Sequence, residues 1–549
     1  MITRTLFIAA ILLIPQLLPA QSDSLAQKKP AISTHRELIT NYKQELNTGN
    51  STWRPILYNK LTISPQKLDT PLLKYRINTF PSETEYENAY TFYCDAIKTY
   101  NELRTRALSH VWKSEEYNSA YTKNNLEKQS QLEYNAFPPH ATYVSHEKLI
   151  PVDAETEKQI YKTLNKVYVL LEKGSRCRIY NWAEFNEVNG IATVFQFAVD
   201  ARMLAGYLRF KADWEIRNGN FTDAIQTIRV GLALGNHIKS ATPQSSLVEL
   251  LVGIAIENMM TTQLFHLVSQ PDAPNLFPAL TIYNSKANLT NTINAEQIMT
   301  FSMLKINPAV LHDINKATSE ECKNLLHESL SAIASLSDNF DPNDDREKKP
   351  TKETTISRMS FAVCTLSYLP AKERLLKRGL SEEQIESLSV YQIIVPYLYE
   401  HIQNAYDFAR VNASLPIWES HPAIKFNEET FVNKLDYSNL ADVWISLMFP
   451  AISAARSAVQ REKQTIDRLK IVEAIRYYAS VHDGKLPETL DAIKELPVPK
   501  NCPVTGKPYE YKLEGNKITI DFDIYYRTYE NNKTRPNSRM EIILEPTQK

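Results

Sequence analysis

The densest group of chemically capable side chains lies between Ser175 and Glu187, in the sequence SRCRIYNWAEFNE. The candidate binding residues of this segment are basic, aromatic and acidic: Arg178, Tyr180, Trp182, Glu184 and Glu187. Aromatic rings stack on planar or cationic ligands, and a guanidinium orients anionic groups. One hypothesis therefore makes Tyr180 and Trp182 a stacking platform, with Arg178 and Glu187 orienting a ligand. The favoured alternative is a helix entry, with Trp182 in the core and the charged groups in solvent.

The two acids of this segment also allow a catalytic hypothesis. Glu184 and Glu187 stand at i and i+3, which places them on one face of a helix. Two carboxyl groups that converge on a pocket, with environments that separate their pKa values, are typical of enzymes that hydrolyse glycosidic bonds. This pattern supports an extracytoplasmic hydrolase acting on cell-wall or polysaccharide material as the alternative function.

A second set of candidate binding residues is basic. Arg202 and Arg209 are spaced by two helical turns and are predicted to line the polar face of a helical hairpin over residues 200–238. Within it, apolar residues recur at helical spacing on either side of a turn at Asn218-Gly219-Asn220. Thr222 is the predicted cap of the second helix, and Gly235 with Asn236 is its predicted end. A plain solvated face is the alternative for the arginines.

No motif predicts a metal or a cofactor. The 11 histidines never fall in the H-x-H or H-E-x-x-H spacing of zinc ligands, and no glycine-rich nucleotide loop is present. The sequence therefore predicts no cofactor, no metal site and no catalytic residue, and it favours a protein that is not an enzyme.

Composition limits the partners. The 62 basic and 63 acidic residues almost balance, so no positive excess is available to neutralise the phosphates of nucleic acid. Only 12 glycines are present, where average usage of about 7% would give roughly 38, and this deficit favours helices. The five cysteines are too few and too scattered for a disulfide scaffold, and the sequence does not choose among pairings.

The N-terminus predicts export. Arg4 precedes a short apolar run, Leu6 to Ile14, and Leu18-Pro19-Ala20 offers a cleavage site ahead of Gln21. The run is too short to span a bilayer, and no later stretch reaches the length of a membrane span without a charge. We therefore predict a signal peptide at 1–20, a periplasmic or extracellular location, and no membrane span after its removal.

Two resemblances refine the fold class. Gly219-Asn220-Phe221, Ala224-Ile225 and Gly231 resemble the second half of a tetratricopeptide repeat, although Lys211 and Glu215 stand where that repeat carries Leu and Tyr. Residues 465–522 resemble the body of type II secretion pseudopilins, through the segments GKLPETL and PVTGKPYEY. The apolar N-terminal helix of a pilin does not precede them, so the resemblance implies a borrowed packing unit.

The combination resembles a set of exported helical proteins of planctomycete-type bacteria, to which no activity is attached. We predict a mainly α fold, with a helical-hairpin array like that of tetratricopeptide proteins and a small C-terminal α+β pseudopilin-like subdomain. The predicted segments are a signal peptide (1–20), a Tyr-rich helical region (21–150), a helical-hairpin domain (151–339), a charged linker (340–355), a helical region (356–449), and a helix with a β-hairpin (450–549).

The function favoured by these features is an exported, non-enzymatic scaffold that binds another exported protein or peptide through a helical groove. The hydrolase is the first alternative. The second is a subunit of a pilin-like or secretion assembly, with self-association through the C-terminal end.

Overall fold

The computed structural model describes residues 57–113, 154–181, 190–240, 245–303, 317–338, 352–419, 440–522 and 538–545. As predicted, these residues form a mainly helical protein, with twelve α-helices and six β-strands. The predicted signal peptide lies outside the described residues, as do Trp182, Glu184 and Glu187.

The described helices follow in chain order: α1 (Tyr90–Trp112), α2 (Ala154–Ser175), α3 (Gly190–Arg217), α4 (Phe221–Lys239), α5 (Leu247–Val268), α6 (Phe277–Thr281), α7 (Leu289–Met303), α8 (Ser319–Asp338), α9 (Lys352–Lys377), α10 (Glu382–Glu386), α11 (Val390–Ser414) and α12 (Leu440–Val481). The described strands are β1 (Leu57–Ile63), β2 (Tyr86–Asn88), β3 (Cys177–Ile179), β4 (Glu510–Glu514), β5 (Lys517–Phe522) and β6 (Ser538–Leu544).

The chain divides into two compact units. One comprises residues 16–288 and 457–549, and therefore holds α1–α6, every described strand and the C-terminal part of α12. The other comprises residues 289–456, and holds α7–α11 and the N-terminal part of α12.

Helices α3 and α4 pack against each other across the predicted turn, where Gly219 adopts a left-handed φ of 75° that favours glycine. Two boundary predictions were wrong. Helix α4 begins at Phe221 behind Asn220, which caps it without a side-chain hydrogen bond, so Thr222 is not the cap. It also continues past Gly235 to Lys239. Gly235 is small because α5 crosses there, and not because the helix ends.

Three glycines permit that crossing of α4 and α5. A Cβ atom on Gly253 would lie 2.2 Å from Cγ of Lys239 and 2.6 Å from the carbonyl oxygen of Gly235. One on Gly231 would lie 2.2 Å from the sulfur of Met260, as the prediction of a small residue at Gly231 requires. Both helices are largely buried, and α5 begins with a capping box between Ser246 and Glu249.

The C-terminal sheet is built from both ends of the chain. Strands β4 and β5 form the predicted hairpin, with Gly515 at a φ of 62°, and β6 pairs antiparallel with β5. The fourth strand is β1, which pairs parallel with β6, so the sheet order is β1-β6-β5-β4. The predicted N-terminal helical region thus contributes β1 to this sheet, and it also contains β2 and α1. The sequence of β1 does not reveal its distant partner.

Helix α12 runs unbroken from Leu440 to Val481. Its apolar residues at helical spacing are buried, namely Leu469, Val472, Ile475 and Ala479. Arg476 ties this helix to two distant segments. Its guanidinium donates to the carbonyl oxygens of Ala273 at 2.7 Å and Ser64 at 3.2 Å, and it pairs with Glu473 at 2.7 Å. Its charge is therefore satisfied inside the core.

In the other unit, α9 and α8 pack on α11. Ala371 and Leu375 of α9 form a small core with Ile385 of α10 and Ile393 of α11. Helix α9 begins at Lys352, whereas the sequence placed the start of this helix at Ile356. Glu353 in the first turn favours the earlier start through the helix dipole, so the last four residues of the predicted linker are helical.

Candidate functional site

Of the predicted ligand segment, the structure describes Arg178 and Tyr180. Arg178 lies on β3 and forms a surface ion pair with Glu87 of the parallel partner strand β2, and 67% of the Arg178 side chain is exposed. Tyr180 is only 1% exposed, and its ring stacks on Phe197 with 5.1 Å between centroids. Tyr180 therefore belongs to the core and presents no exposed ring to a ligand, while Trp182, the other ring of the predicted platform, lies outside the described residues.

The same region contains a buried histidine that the sequence analysis did not single out. Both ring nitrogens of His237 form hydrogen bonds: Nδ1 lies 2.7 Å from the Tyr93 hydroxyl and Nε2 lies 3.1 Å from the carbonyl oxygen of Cys177. A carbonyl can only accept, so Nε2 carries the proton and Nδ1 accepts from Tyr93. Burial lowers the pKa of His237 to about 4, with help from the charge of Lys286. This neutral ring joins α4, α1 and β3.

Arg202 and Arg209 both lie on α3, and both are partly buried. About two turns beyond Arg209, Arg217 pairs with Glu157 of α2 at 2.9 Å and with Asp213 of its own helix at 2.8 Å. Ion pairs therefore connect α3 to α2 where the sequence analysis placed the polar face of the hairpin.

Lys211 and Glu215, the departures from the tetratricopeptide pattern, form a buried polar contact. The ammonium of Lys211 lies 2.5 Å from Glu215 and 2.6 Å from the Tyr161 hydroxyl, to which it donates. Thr227 donates to the second oxygen of Glu215 at 2.7 Å. Every charged atom of this group thus has a partner, which makes it a structural joint between α2, α3 and α4.

The chemically richest cluster lies around Lys239. Its ammonium is 2.6 Å from Glu257 and 2.8 Å from Glu462, and it donates to the Ser285 hydroxyl at 2.6 Å. Burial raises the pKa of Glu257 well above its usual value. Burial would also raise the pKa of Glu462, but hydrogen bonding and the charge of Lys239 outweigh it and lower the pKa. Of the two carboxyl groups, Glu257 therefore binds a proton more readily, and Glu462 is the better counter-charge for Lys239.

The hydrolase hypothesis requires two carboxyl groups with separated pKa values and a pocket that admits substrate, and the Lys239 cluster meets the first requirement. The second requirement is a pocket, and these side chains are at most 3% exposed. No substrate reaches them in this structure, so the cluster holds α4, α5 and α12 together and does not form an active site.

A shallow depression of about 500 Å³ lies elsewhere, between α12 and the segment 493–500. Lys470, Lys494 and Lys500 line it together with Pro497 and Pro499. Lys500 already pairs with Asp491, and no carboxylate, histidine or cysteine is among the lining residues. The depression offers weak attraction for anions and no catalytic group.

The most unusual surface is the outward face of α9. We call it the α9 face, defined by Arg358, Phe361, Ala362, Thr365, Leu366, Leu369, Glu373 and Leu376, all of which are exposed. The exposed fractions are 74% for Phe361 and 68% for Leu369, the highest values among the large apolar residues of the described chain. At 100° per residue, these eight positions fall within one side of the helix.

The opposite side of α9 is buried, through Ile356, Val363, Ala371 and Leu375. A helix that is apolar on both sides is typical of one covered on both sides. Contiguous exposed apolar surface rimmed by charges marks contact sites. The α9 face is therefore the best candidate functional site in the described chain, and sequence reasoning missed it because it resembles an ordinary core pattern.

Metal binding and membrane insertion find little support in the described residues. The described residues contain no group of three or more histidine, cysteine or acidic side chains placed to hold a metal ion. In the same residues, α5 is the one helix long and apolar enough to cross a membrane by length and composition. Two thirds of its apolar window is buried in the protein, as for a core helix.

The five cysteines are all free thiols.

Comparison with protein families, with curated proteins and with solved structures finds no match to this chain.

Proposed function

We propose that this protein is an exported, non-enzymatic helical scaffold that binds protein through the α9 face. The observation that carries the proposal is the exposure of Phe361 and Leu369 on the same side of one helix. Exposed large apolar side chains lose contact with water when a partner covers them, and each contributes about 1.5–3 kcal/mol when fully buried. Arg358 and Glu373 at the two ends of the face provide a charged rim.

Other features support binding over catalysis. The buried acids around Lys239 and Arg476 are paired and inaccessible. Glu184 and Glu187, on which the hydrolase depends, lie outside the described residues and add nothing to that alternative. Export is proposed from the signal-like sequence before Gln21, and it requires the secreted protein to begin at that residue.

The experiment measures complexes of the mature protein by light scattering coupled to size separation, alone and with exported proteins of its source. The test variant is Leu369→Asp, and the matched control is Val411→Asp, at an exposed apolar position of α11. We expect complexes that the first variant abolishes and the second leaves intact. Complexes unaffected by Leu369→Asp, or no complex of any kind, would refute the proposal.

A further inference from the structure

We propose that the partner of the α9 face is the same face of a second copy of this chain, with the two α9 helices antiparallel. This inference rests on the proposed function and names the occupant of the site. It differs from self-association through the C-terminal end, because α9 belongs to the unit formed by residues 289–456.

Two-fold symmetry pairs the positions of the two helices once the axis is placed along α9. In a symmetric dimer, residue i of one copy faces residue j of the other, and j faces i. A two-fold axis between Thr365 and Leu366 places Leu369 opposite Ala362 of the second copy, so the large side chain meets a small one. The apolar part of the face is therefore complementary to itself.

The charges agree with the same register. The axis that pairs Leu369 with Ala362 also places Arg358 opposite Glu373, and this contact occurs twice in the dimer. Both side chains are exposed, and neither forms an ion pair with a described residue of its own chain.

A parallel arrangement would bring like charges together. Two-fold symmetry along the helix would set Arg358 against Arg358 and Glu373 against Glu373, and such like-charge contacts are unfavourable. The charge pattern therefore selects the antiparallel arrangement. The same pattern favours a second copy over an unrelated protein. The charges of the α9 face are complementary to those of an identical face, and this self-complementarity would serve no purpose against an unrelated surface.

The size of the face sets the strength of the contact. From Arg358 to Leu376 the helix rises about 27 Å, and a stripe about 10 Å wide covers a few hundred Å² per copy. A standard interface covers about 800 Å² per partner, so this contact belongs to the small, weak and transient class of interfaces.

The experiment measures the mass of the full chain by sedimentation equilibrium from about 1 to 200 μM, which spans the range expected for an interface of this size. The variants are Arg358→Glu and Glu373→Arg, each alone, and an equimolar mixture of the two. Each single variant places like charges in both contacts of its own dimer, and we expect its dimer to be at least about tenfold weaker. In the mixed dimer, Glu at 358 of one copy faces Arg at 373 of the other, and native Glu373 faces native Arg358. The mixture should therefore regain dimers of wild-type strength.

The inference is overturned if the wild-type chain stays monomeric at the highest concentration, or if the mixture dimerises no better than its components. Because both substituted residues are exposed, each variant should retain the wild-type circular dichroism spectrum and thermal midpoint, and this is checked first.

The outcomes also separate this inference from the proposed function. A monomeric wild-type chain that binds a different exported protein, and loses it with Leu369→Asp, contradicts the second copy as occupant while the binding function stands. A monomeric chain whose α9 variants change only binding to vesicles of phosphatidylethanolamine and phosphatidylglycerol assigns the face to a lipid surface and refutes both.

Discussion

Arg358 and Glu373 lie about four helical turns apart on the exposed side of α9, at opposite ends of an apolar stripe that contains Leu366 and Leu369. A lone exposed helix gains little from this arrangement, because the two charges are too far apart to attract each other across water. Two such helices placed antiparallel satisfy both charges and cover the stripe. The value of the arrangement thus lies in contact with another molecule.

The first prediction is that the α9 face contributes to association but little to folding. Leu369→Asp should change the free energy of unfolding by no more than about 0.5 kcal/mol, because surface substitutions away from packed features are usually within this range. Urea unfolding at a concentration where the chain is monomeric measures this. A loss of several kcal/mol would show that Leu369 packs within its own chain, and it would remove the basis for the α9 face.

The second prediction separates the two carboxyl groups around Lys239. Burial disfavours the charged form of Glu257, so Glu257→Gln should cost no more than about 1.5 kcal/mol, the range of an ordinary hydrogen bond. Glu462 balances the buried ammonium, and Glu462→Gln should cost about 3–5 kcal/mol. Urea unfolding of the two isosteric variants near pH 7 measures the difference. Equal losses would contradict the assignment of the charge to Glu462.

The third prediction is an acid sensitivity caused by His237. Its pKa is about 4 in the folded protein, against about 6.5 when unfolded, so the unfolded chain binds the proton first as the pH falls. The stability from the neutral ring is complete above pH 6.5 and is lost as the pH falls towards 4. Between pH 7 and pH 5 this group alone should remove about 2 kcal/mol.

The measurement compares unfolding free energies at pH 7 and pH 5 for the wild type and His237→Gln. Glutamine can donate to the Cys177 carbonyl and accept from Tyr93, but it does not titrate. The variant should therefore lose about 2 kcal/mol less than the wild type between the two pH values. His327→Gln, at an exposed position of α8, is the control and should follow the wild type. Identical pH dependence of all three proteins would refute the prediction.

The fourth prediction concerns the crossing of α4 and α5. In Gly253→Ala the new methyl group meets the carbonyl oxygen of Gly235, a backbone atom that cannot move alone. In Gly231→Ala it meets the flexible side chain of Met260, which can change rotamer. Gly253→Ala should lower stability by about 1–3 kcal/mol, and Gly231→Ala by clearly less. Thermal unfolding ranks them, and the reverse order would show that the helices do not cross as described.

Local features of the fold could be predicted from the sequence because they depend on neighbouring residues. The hairpin of β4 and β5, the turn at Gly219, the buried side of α12 and the small residue at Gly231 all follow from spacing and turn chemistry. The parallel pairing of β1 with β6 could not be predicted, since its two strands lie at opposite ends of the chain and no local pattern joins them.

The candidate site was harder to predict for the same reason. The sequence around Tyr180 is compatible with a ligand platform and with a core position. Only the contacts of Tyr180 with Phe197 and Tyr93 place it in the core. Glu257 and Glu462 stand on helices far apart in sequence, so their shared contact with Lys239 has no sequence signal. Because α9 carries apolar residues on both sides, its sequence does not indicate which side faces water.

The central claim is that two α9 faces meet in an antiparallel register, and disulfide formation tests it most directly. In a chain with the partly exposed Cys94 and Cys364 replaced by serine, one cysteine is introduced at Thr365, next to the predicted two-fold axis, or at the exposed Lys377. In the antiparallel dimer the two residues at position 377 are separated by about 35 Å along the helices, whereas those at position 365 are adjacent. Mild oxidation should link copies through Thr365→Cys and not through Lys377→Cys. Equal linkage at both positions, or none at position 365 at concentrations where dimers form, would contradict the account.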